Sequence, residues 1–197
     1  MYQLIETIKV VNRQFQNLGF HNNRLNRSRR ELFGSKNEID IKEIVSLTSL
    51  ITEGVYKCTI TYSAEIADVQ FQPYIIRKIE TLKIITDNKI KYSYKYADRT
   101  ELNEILERKG GCDEIIIVKD NMITDTSFSN LIFFDGLTWH TPVSPLLKGT
   151  KREKLVSLGL IKEAKIGIND LVKYNKVGLI NAMLEMGDIV IDVANVK

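Results

Sequence analysis

The sequence predicts an α+β fold, and three observations carry that prediction. Strand-like and helix-like segments follow one another without regular β-α-β alternation. Asp120-Asn121 and Asp135-Gly136 stand between apolar runs, and Asp-Gly in that setting is a strong signal for a tight antiparallel turn. Hydrophobic texture changes at Gly34, Gly54 and Gly110, so one kind of element gives way to another at those points.

Taken in order, "LIETIKVVNRQFQNL" reads as a β-hairpin turning at Asn12, because β-branched residues flank that position. "HNNRLNRSRRELFG" reads as a short helix with Leu25 and Leu32 seven apart and Gly34 as its stop. "DIKEIVSLTSLI" predicts a second helix, capped by Asp40, with Ile44, Leu47 and Ile51 at helical spacing. After Gly54, "VYKCTITYS" alternates as a strand. "IADVQFQPYIIRKIETLKII" is a second extended region, interrupted at Pro73 where a backbone donor is missing.

"NKIKYSYKYAD" alternates strictly, with Lys91, Ser93 and Lys95 on one face and Ile90, Tyr92 and Tyr94 on the other, which predicts a strand. "DRTELNEILERKGG" predicts a helix entered near Asp98 or Thr100 and left at Gly110. The block from Glu114 to Pro142 predicts three consecutive antiparallel strands. A tight turn at Gly149 then feeds a helix, and the tail from Ile168 adds one or two helices and a last strand. Residues from about 75 to 88 read as the bridge between an N-terminal subdomain, 1–85, and a C-terminal one, 86–197, that carries Lys95.

Composition narrows the function. With 197 residues, 44% of them hydrophobic and 27% charged, the chain has the length and apolar content for a sizeable core. A net charge of +3 favours small anionic ligands and falls short of a nucleic-acid footprint. Cys58 and Cys112 lie far apart and match no zinc or redox spacing, and His21 and His140 are the only histidines, so no catalytic metal is expected. "MYQLIETIKVV" has no apolar run ahead of a small-residue cleavage site, and no stretch approaches the roughly 20 apolar residues of a membrane span. An unprocessed cytoplasmic protein without membrane or nucleic-acid partners is the expectation.

Four positions could carry chemistry. Lys95 lies among tyrosines at the end of an alternating segment; such a lysine is either a solvated cation with its stem on apolar surface or an amine whose partial burial frees it for imine chemistry. Asp125 in "ITDTSFSNLIFF" is either a turn aspartate or a carboxylate for a protonated heteroaromatic nitrogen. Gly149-Thr150 in "LLKGTKREKL" enters a helix, where backbone N–H groups and a hydroxyl can hold an anion. Arg24 in "HNNRLNRSRR" is either part of a solvated basic face with Arg27, Arg29 and Arg30, a weak nucleic-acid contact, or a phosphate partner.

The order of these pieces resembles the class IV aminotransferases, the pyridoxal-phosphate enzymes that include branched-chain and D-amino-acid aminotransferases and aminodeoxychorismate lyase. "HNNRL" is similar to the family's H-x-x-R-L, "KYADR" to the lysine segment that the lyases write K-x-x-x-R, "ITDTSFSNLIFF" to T/S-E-x-x-x-x-N-L-F and "LLKGTKR" to L-x-G-I/V-T-R; "LINAM" is similar to a further segment. The likeness runs from about Ile5 to Met183. It implies the D-amino-acid aminotransferase-like fold in two subdomains and pyridoxal 5'-phosphate as cofactor. By carry-over Lys95 would hold the cofactor covalently and move a proton, Arg24 and Thr150 would grip its phosphate, Asp125 would face its ring nitrogen, and Asn130 would support the strand carrying that carboxylate.

Asp125 stands where the family usually has Glu, one methylene shorter. Arg99 stands in the region where the aminotransferases place a tyrosine, and a lysine followed four positions later by arginine is similar to the lyase branch. The resemblance therefore implies elimination of pyruvate from 4-amino-4-deoxychorismate to leave 4-aminobenzoate, with an amino-acid transaminase as the alternative. It also implies a homodimer acting on a small amino substrate. A non-catalytic binding module is the reading from another class.

Overall fold

A computed structural model describes residues 2–45 and 53–197. The chain groups into two compact units, Met1–Ile75 with Tyr94–Asp98, and Ile76–Ser93 with Arg99–Lys197. Lys95 therefore belongs to the first unit, to which the chain returns briefly after Ser93; the sequence reading had drawn one boundary near residue 85 and assigned the lysine to the later half.

In the first unit, β1 (Leu4–Val11) turns through Asn12 and Arg13, both at positive φ, into β2 (Gln14–Phe15). Left-handed backbone at both turn residues matches strand twist and closes the expected hairpin. The helix α1 (Leu18–Phe33) starts earlier than expected and ends at Gly34, whose φ of 67° lets its N–H reach back to the Arg29 and Arg30 carbonyls. The short α2 (Ile41–Ile44) is capped by Asp40, whose carboxylate accepts from the Lys42 N–H. Leu47 and Ile51 of the expected second helix lie outside the described residues.

The strands β3 (Val55–Tyr62) and β4 (Ile66–Pro73) complete an antiparallel sheet in the order β2-β1-β3-β4. Leu4, Ile8 and Val10 of β1 and Cys58, Ile60 and Tyr62 of β3 share a buried face that packs with Leu25 of α1. Residues 95–97 add themselves to the start of β1: the Ile5 N–H donates to the Lys95 carbonyl and the Ala97 N–H to the Gln3 carbonyl, with Leu4 bridged to Tyr96.

The expected strand over residues 89–97 is absent apart from that bridge. Ile90 and Tyr92 are buried and Lys91 and Ser93 exposed, as the alternation required, but the segment crosses from one unit to the other at Tyr94, so no single neighbour pairs along it.

In the second unit, β5 (Leu82–Thr86) lies parallel to β6 (Glu114–Lys119), and α3 (Thr100–Glu107) intervenes in sequence. Asp120 and Asn121, again both at positive φ, return β6 into β7 (Met122–Ile123). The strands β8 (Asn130–Phe134) and β9 (Trp139–Pro142) form a second hairpin, followed by α4 (Thr150–Ser157), β10 (Lys162–Ala164), β11 (Lys176–Ile180) and β12 (Val190–Asp192). The predicted run of three antiparallel strands is thus corrected: β6 and β7 belong to the sheet β5-β6-β7, β8 and β9 to the sheet β10-β9-β8-β11-β12. The chain changes sheet in residues 124–129, which hold Asp125. In place of an expected α-helix the tail has short 3-10 segments at Ile168–Lys173 and Val193–Asn195, together with β11.

β11 lies between β8 and β12, and Val177 and Leu179 contribute to the core with Ile116, Val118, Leu131 and Phe133. Between them Gly178 lets β8 come close: a Cβ there would stand 2.8 Å from Ile132 Cγ1. Gly178→Ala is expected to destabilise the chain by about 1–3 kcal/mol through overpacking, read as a lower urea midpoint at unchanged slope.

Candidate functional site

Two clusters hold the residues singled out by sequence, one in each unit. The first grows from the alternation of β1, which places Leu4, Glu6, Ile8 and Val10 on its buried face. An acid on an apolar face demands partners. Helix α1 supplies them three residues apart: Arg24 Nε donates to Glu6 Oε1 at 2.8 Å and Arg24 Nη2 to Glu6 Oε2 at 2.6 Å, while His21 Nδ1 lies 2.6 Å from Glu6 Oε2. All three residues are buried.

Burial alone would raise the Glu6 pKa, but the Arg24 charge and the hydrogen bonds from His21 and Arg24 prevail and hold it at about 2. His21 moves below its ordinary value, first because it is buried, against the pull of Glu6; the charges of Arg24 and Lys95 push the same way as burial. Lys95 itself is half-buried, its backbone tied to β1.

In the first unit the charges of Arg24 and Lys95 both act on the His21 imidazole. His21 lies in the first turn of α1 and is a buried partner of Glu6. Glu6 was missed as a site residue, although a lone acid on the apolar side of an alternating strand was there to be read. The basic helix face is not a solvated patch. Arg29 is completely buried and donates to the Ala64 and Asn37 carbonyls and to the Asn26 and Asn37 side chains.

The second cluster forms where the chain leaves β7 and enters β8. Asp125 is bridged to Asn130, the first residue of β8, and Asn130 Nδ2 donates to Asp125 Oδ1 at 2.7 Å. The Leu147 N–H donates to Asp125 Oδ2 at 2.9 Å. Asn130 Nδ2 also reaches the Leu147 carbonyl at 2.8 Å. Burial pushes the Asp125 carboxyl up to about 7, against the opposing effects of the Leu147 N–H, Asn130, the Leu146 N–H and the Arg152 charge.

Gly149 stands at the start of α4 with ordinary extended backbone, and its carbonyl accepts from the Glu153 N–H at 2.9 Å. Thr150 is buried at the start of that turn. In the pattern L-x-G-I/V-T-R, Thr150 takes the Ile/Val place and Lys151 the threonine place; Lys151 is buried and paired with Glu185 at 2.5 Å. The second unit therefore brings Asp125, Asn130 and the Gly149-Thr150 turn together. Arg99 lies in the same unit, where its Nη2 donates to the Ser127 carbonyl at 2.7 Å, two residues beyond Asp125. His140, in β9, is paired at 2.9 Å with Asp135 of the β8–β9 turn.

Comparisons with known proteins show the family. The model of the family described as "Amino-transferase class IV" matches residues 3–190. A protein of Haemophilus influenzae described only as uncharacterised is 40% identical, covering 93% of this chain and 98% of its own. Among solved structures, a "putative 4-amino-4-deoxychorismate lyase" from Haemophilus somnus is 35% identical with a TM-score of 0.86, covering 93% of this chain and 97% of that one. A "putative amino-acid aminotransferase" from Mesorhizobium loti shares the fold at 20% identity, with a TM-score of 0.80 over 98% and 99% of the two chains.

The Glu6 network carries a testable acid sensitivity. Its folded pKa lies below the ordinary 4.5, so its contribution is complete above about pH 4.5 and is lost as pH falls toward 2. That contribution is about 3 kcal/mol. Glu6→Gln should flatten the fall of the thermal midpoint across this window, and Glu6→Ala, which strands the buried Arg24 charge, should cost about 3–5 kcal/mol at neutral pH.

Proposed function

Because the chain belongs to the class IV aminotransferase family, we propose that it is a pyridoxal 5'-phosphate enzyme acting on a small amino substrate, most like a 4-amino-4-deoxychorismate lyase. The observation that carries the lyase reading is the 35% identity, over nearly the whole of both chains, with the Haemophilus somnus protein of that description. Arg99, four positions after Lys95, supports the same branch.

The residues present suit the cofactor. Asp125 is a buried carboxyl with neutral donors on each oxygen and a pKa lifted to about 7, so a cation brought against it relieves its burial. A protonated ring nitrogen is such a cation. Arg24, fixed by Glu6 through two of its nitrogens, and the helix start at Thr150 are each the kind of group that suits a phosphate. When bound, the cofactor supplies an electron sink for the carbon that bears the substrate's amino group.

Each side chain then has a role. Lys95 would hold the cofactor through its ε-amine and would take the proton from the carbon that bears the substrate's amino group. Asp125 would keep positive charge at the ring nitrogen, and Arg24 and Thr150 would hold the phosphate. In 4-amino-4-deoxychorismate, loss of the proton lets the ring C–O bond to the enolpyruvyl group break. The ring becomes aromatic as 4-aminobenzoate, and the departing enolate takes up a proton as pyruvate. Family likeness also supports a homodimer working in the cytoplasm; among the described residues no helix is long and apolar enough to cross a membrane.

The purified chain with pyridoxal 5'-phosphate should develop the visible absorbance band of a lysine-bound cofactor, absent in Lys95→Ala. It should release pyruvate from 4-amino-4-deoxychorismate with no amino acceptor present. Conversion of the cofactor to its amine form by an amino acid, without pyruvate release, would assign a transaminase instead. A band that persists in Lys95→Ala would remove the lysine from its role.

A further inference from the structure

Asp125 and the turn before α4 are joined by a closed ring of hydrogen bonds. Asn130 Nδ2 donates to Asp125 Oδ1 and to the Leu147 carbonyl, and the Leu147 N–H donates to Asp125 Oδ2. The remaining atom of the Asn130 amide, Oδ1, occupies the space beside Gly149: a Cβ added there would overlap it. Gly149 has φ −75° and ψ 142°, a backbone any residue adopts. The glycine is thus required by the Asn130 amide and not by its own conformation.

From this geometry we infer that Asn130 is a positioning residue that fixes the Asp125 carboxylate and the first turn of α4 to each other, so that the ring-nitrogen partner and the phosphate turn move as one element. The inference rests on the proposed cofactor reading and goes beyond it, because it couples two groups with separate tasks. It also accounts for the shorter acid. An aspartate reaches one methylene less far than a glutamate, and a side chain held through both oxygens by a strand residue and a turn peptide has its position set by those two elements. A displacement at residue 149 should therefore be felt at Asp125, which residue 149 does not replace or bond.

The test uses the full chain freed of cofactor, with aspartate carboxyl carbons observed by NMR and the Asp125 signal identified by its loss in Asp125→Asn. In the wild type it should titrate near pH 7. Removing the amide in Asn130→Ala removes a bond that favours the anion, and should raise the midpoint by about one unit. Gly149→Ala crowds the amide and should raise it in the same direction. In the double variant the added methyl has room, so its shift should not exceed that of Asn130→Ala alone.

Both single variants should bind pyridoxal 5'-phosphate about ten- to a hundredfold more weakly. Circular dichroism establishes that each variant is folded, and Gly149→Ala, which deletes no donor group, serves if Asn130→Ala does not fold. A midpoint that stays put in folded Gly149→Ala, or a double variant whose shift is the sum of the singles, overturns the coupling. Failure of the wild type to take up the cofactor would instead sink the functional reading, while the titrations still decide the coupling.

Discussion

Taking a carboxyl group out of water is the constraint around which both candidate clusters are arranged. Glu6 and Asp125 are both buried, and burial by itself raises both. They end at opposite values because their compensation differs in kind. Glu6 meets a guanidinium through two hydrogen bonds and an imidazole through a third. Asp125 meets an amide and a peptide N–H, with Arg152 acting through its charge alone. One is held as an anion at neutral pH and locks an arginine in place. The other becomes a carboxyl whose charge depends on whether a cation is brought to it, which is the property a partner for a protonated ring nitrogen requires.

The same rule explains why these groups sit on regular elements. Glu6 lies in β1, paired along its whole length with β3 and flanked at its start by residues 95–97, so its backbone cannot yield when the side chain seeks water. Asn130 opens β8, which is bonded on both sides by β9 and β11. Buried polar contacts are only as accurate as their supports. Two of the four arginines of α1 are internal: Arg24 directs two of its nitrogens to a buried acid and Arg29 bonds loop carbonyls, while Arg27 is half-buried and Arg30 exposed.

Local signals were legible in the sequence because their causes are local. Asn12, the Asp120-Asn121 pair and Gly34 adopt positive φ, a conformation their residue types tolerate, and each was readable as a turn or a stop. The lysine, arginine, aspartate and glycine motifs were legible as an ordered set, and with them the family. What the sequence did not disclose depended on partners distant along the chain. Alternation over residues 89–97 foretold which side chains are buried, yet a strand needs a neighbour, and this segment changes unit at Tyr94. Asp120-Asn121 foretold a hairpin, yet not that the next strand would join another sheet.

The sequence by itself therefore determined the turns, the Gly34 helix stop, the α+β class and the family. Tertiary structure alone decided that Glu6 clamps Arg24, that Asn130 ties Asp125 to the turn before α4, and that Gly149 is crowded by the Asn130 amide although its backbone is ordinary. The physical reason is range. Dihedral preference and periodicity act within a few residues, whereas the free energy of a buried polar group is settled by whichever donors folding brings to it.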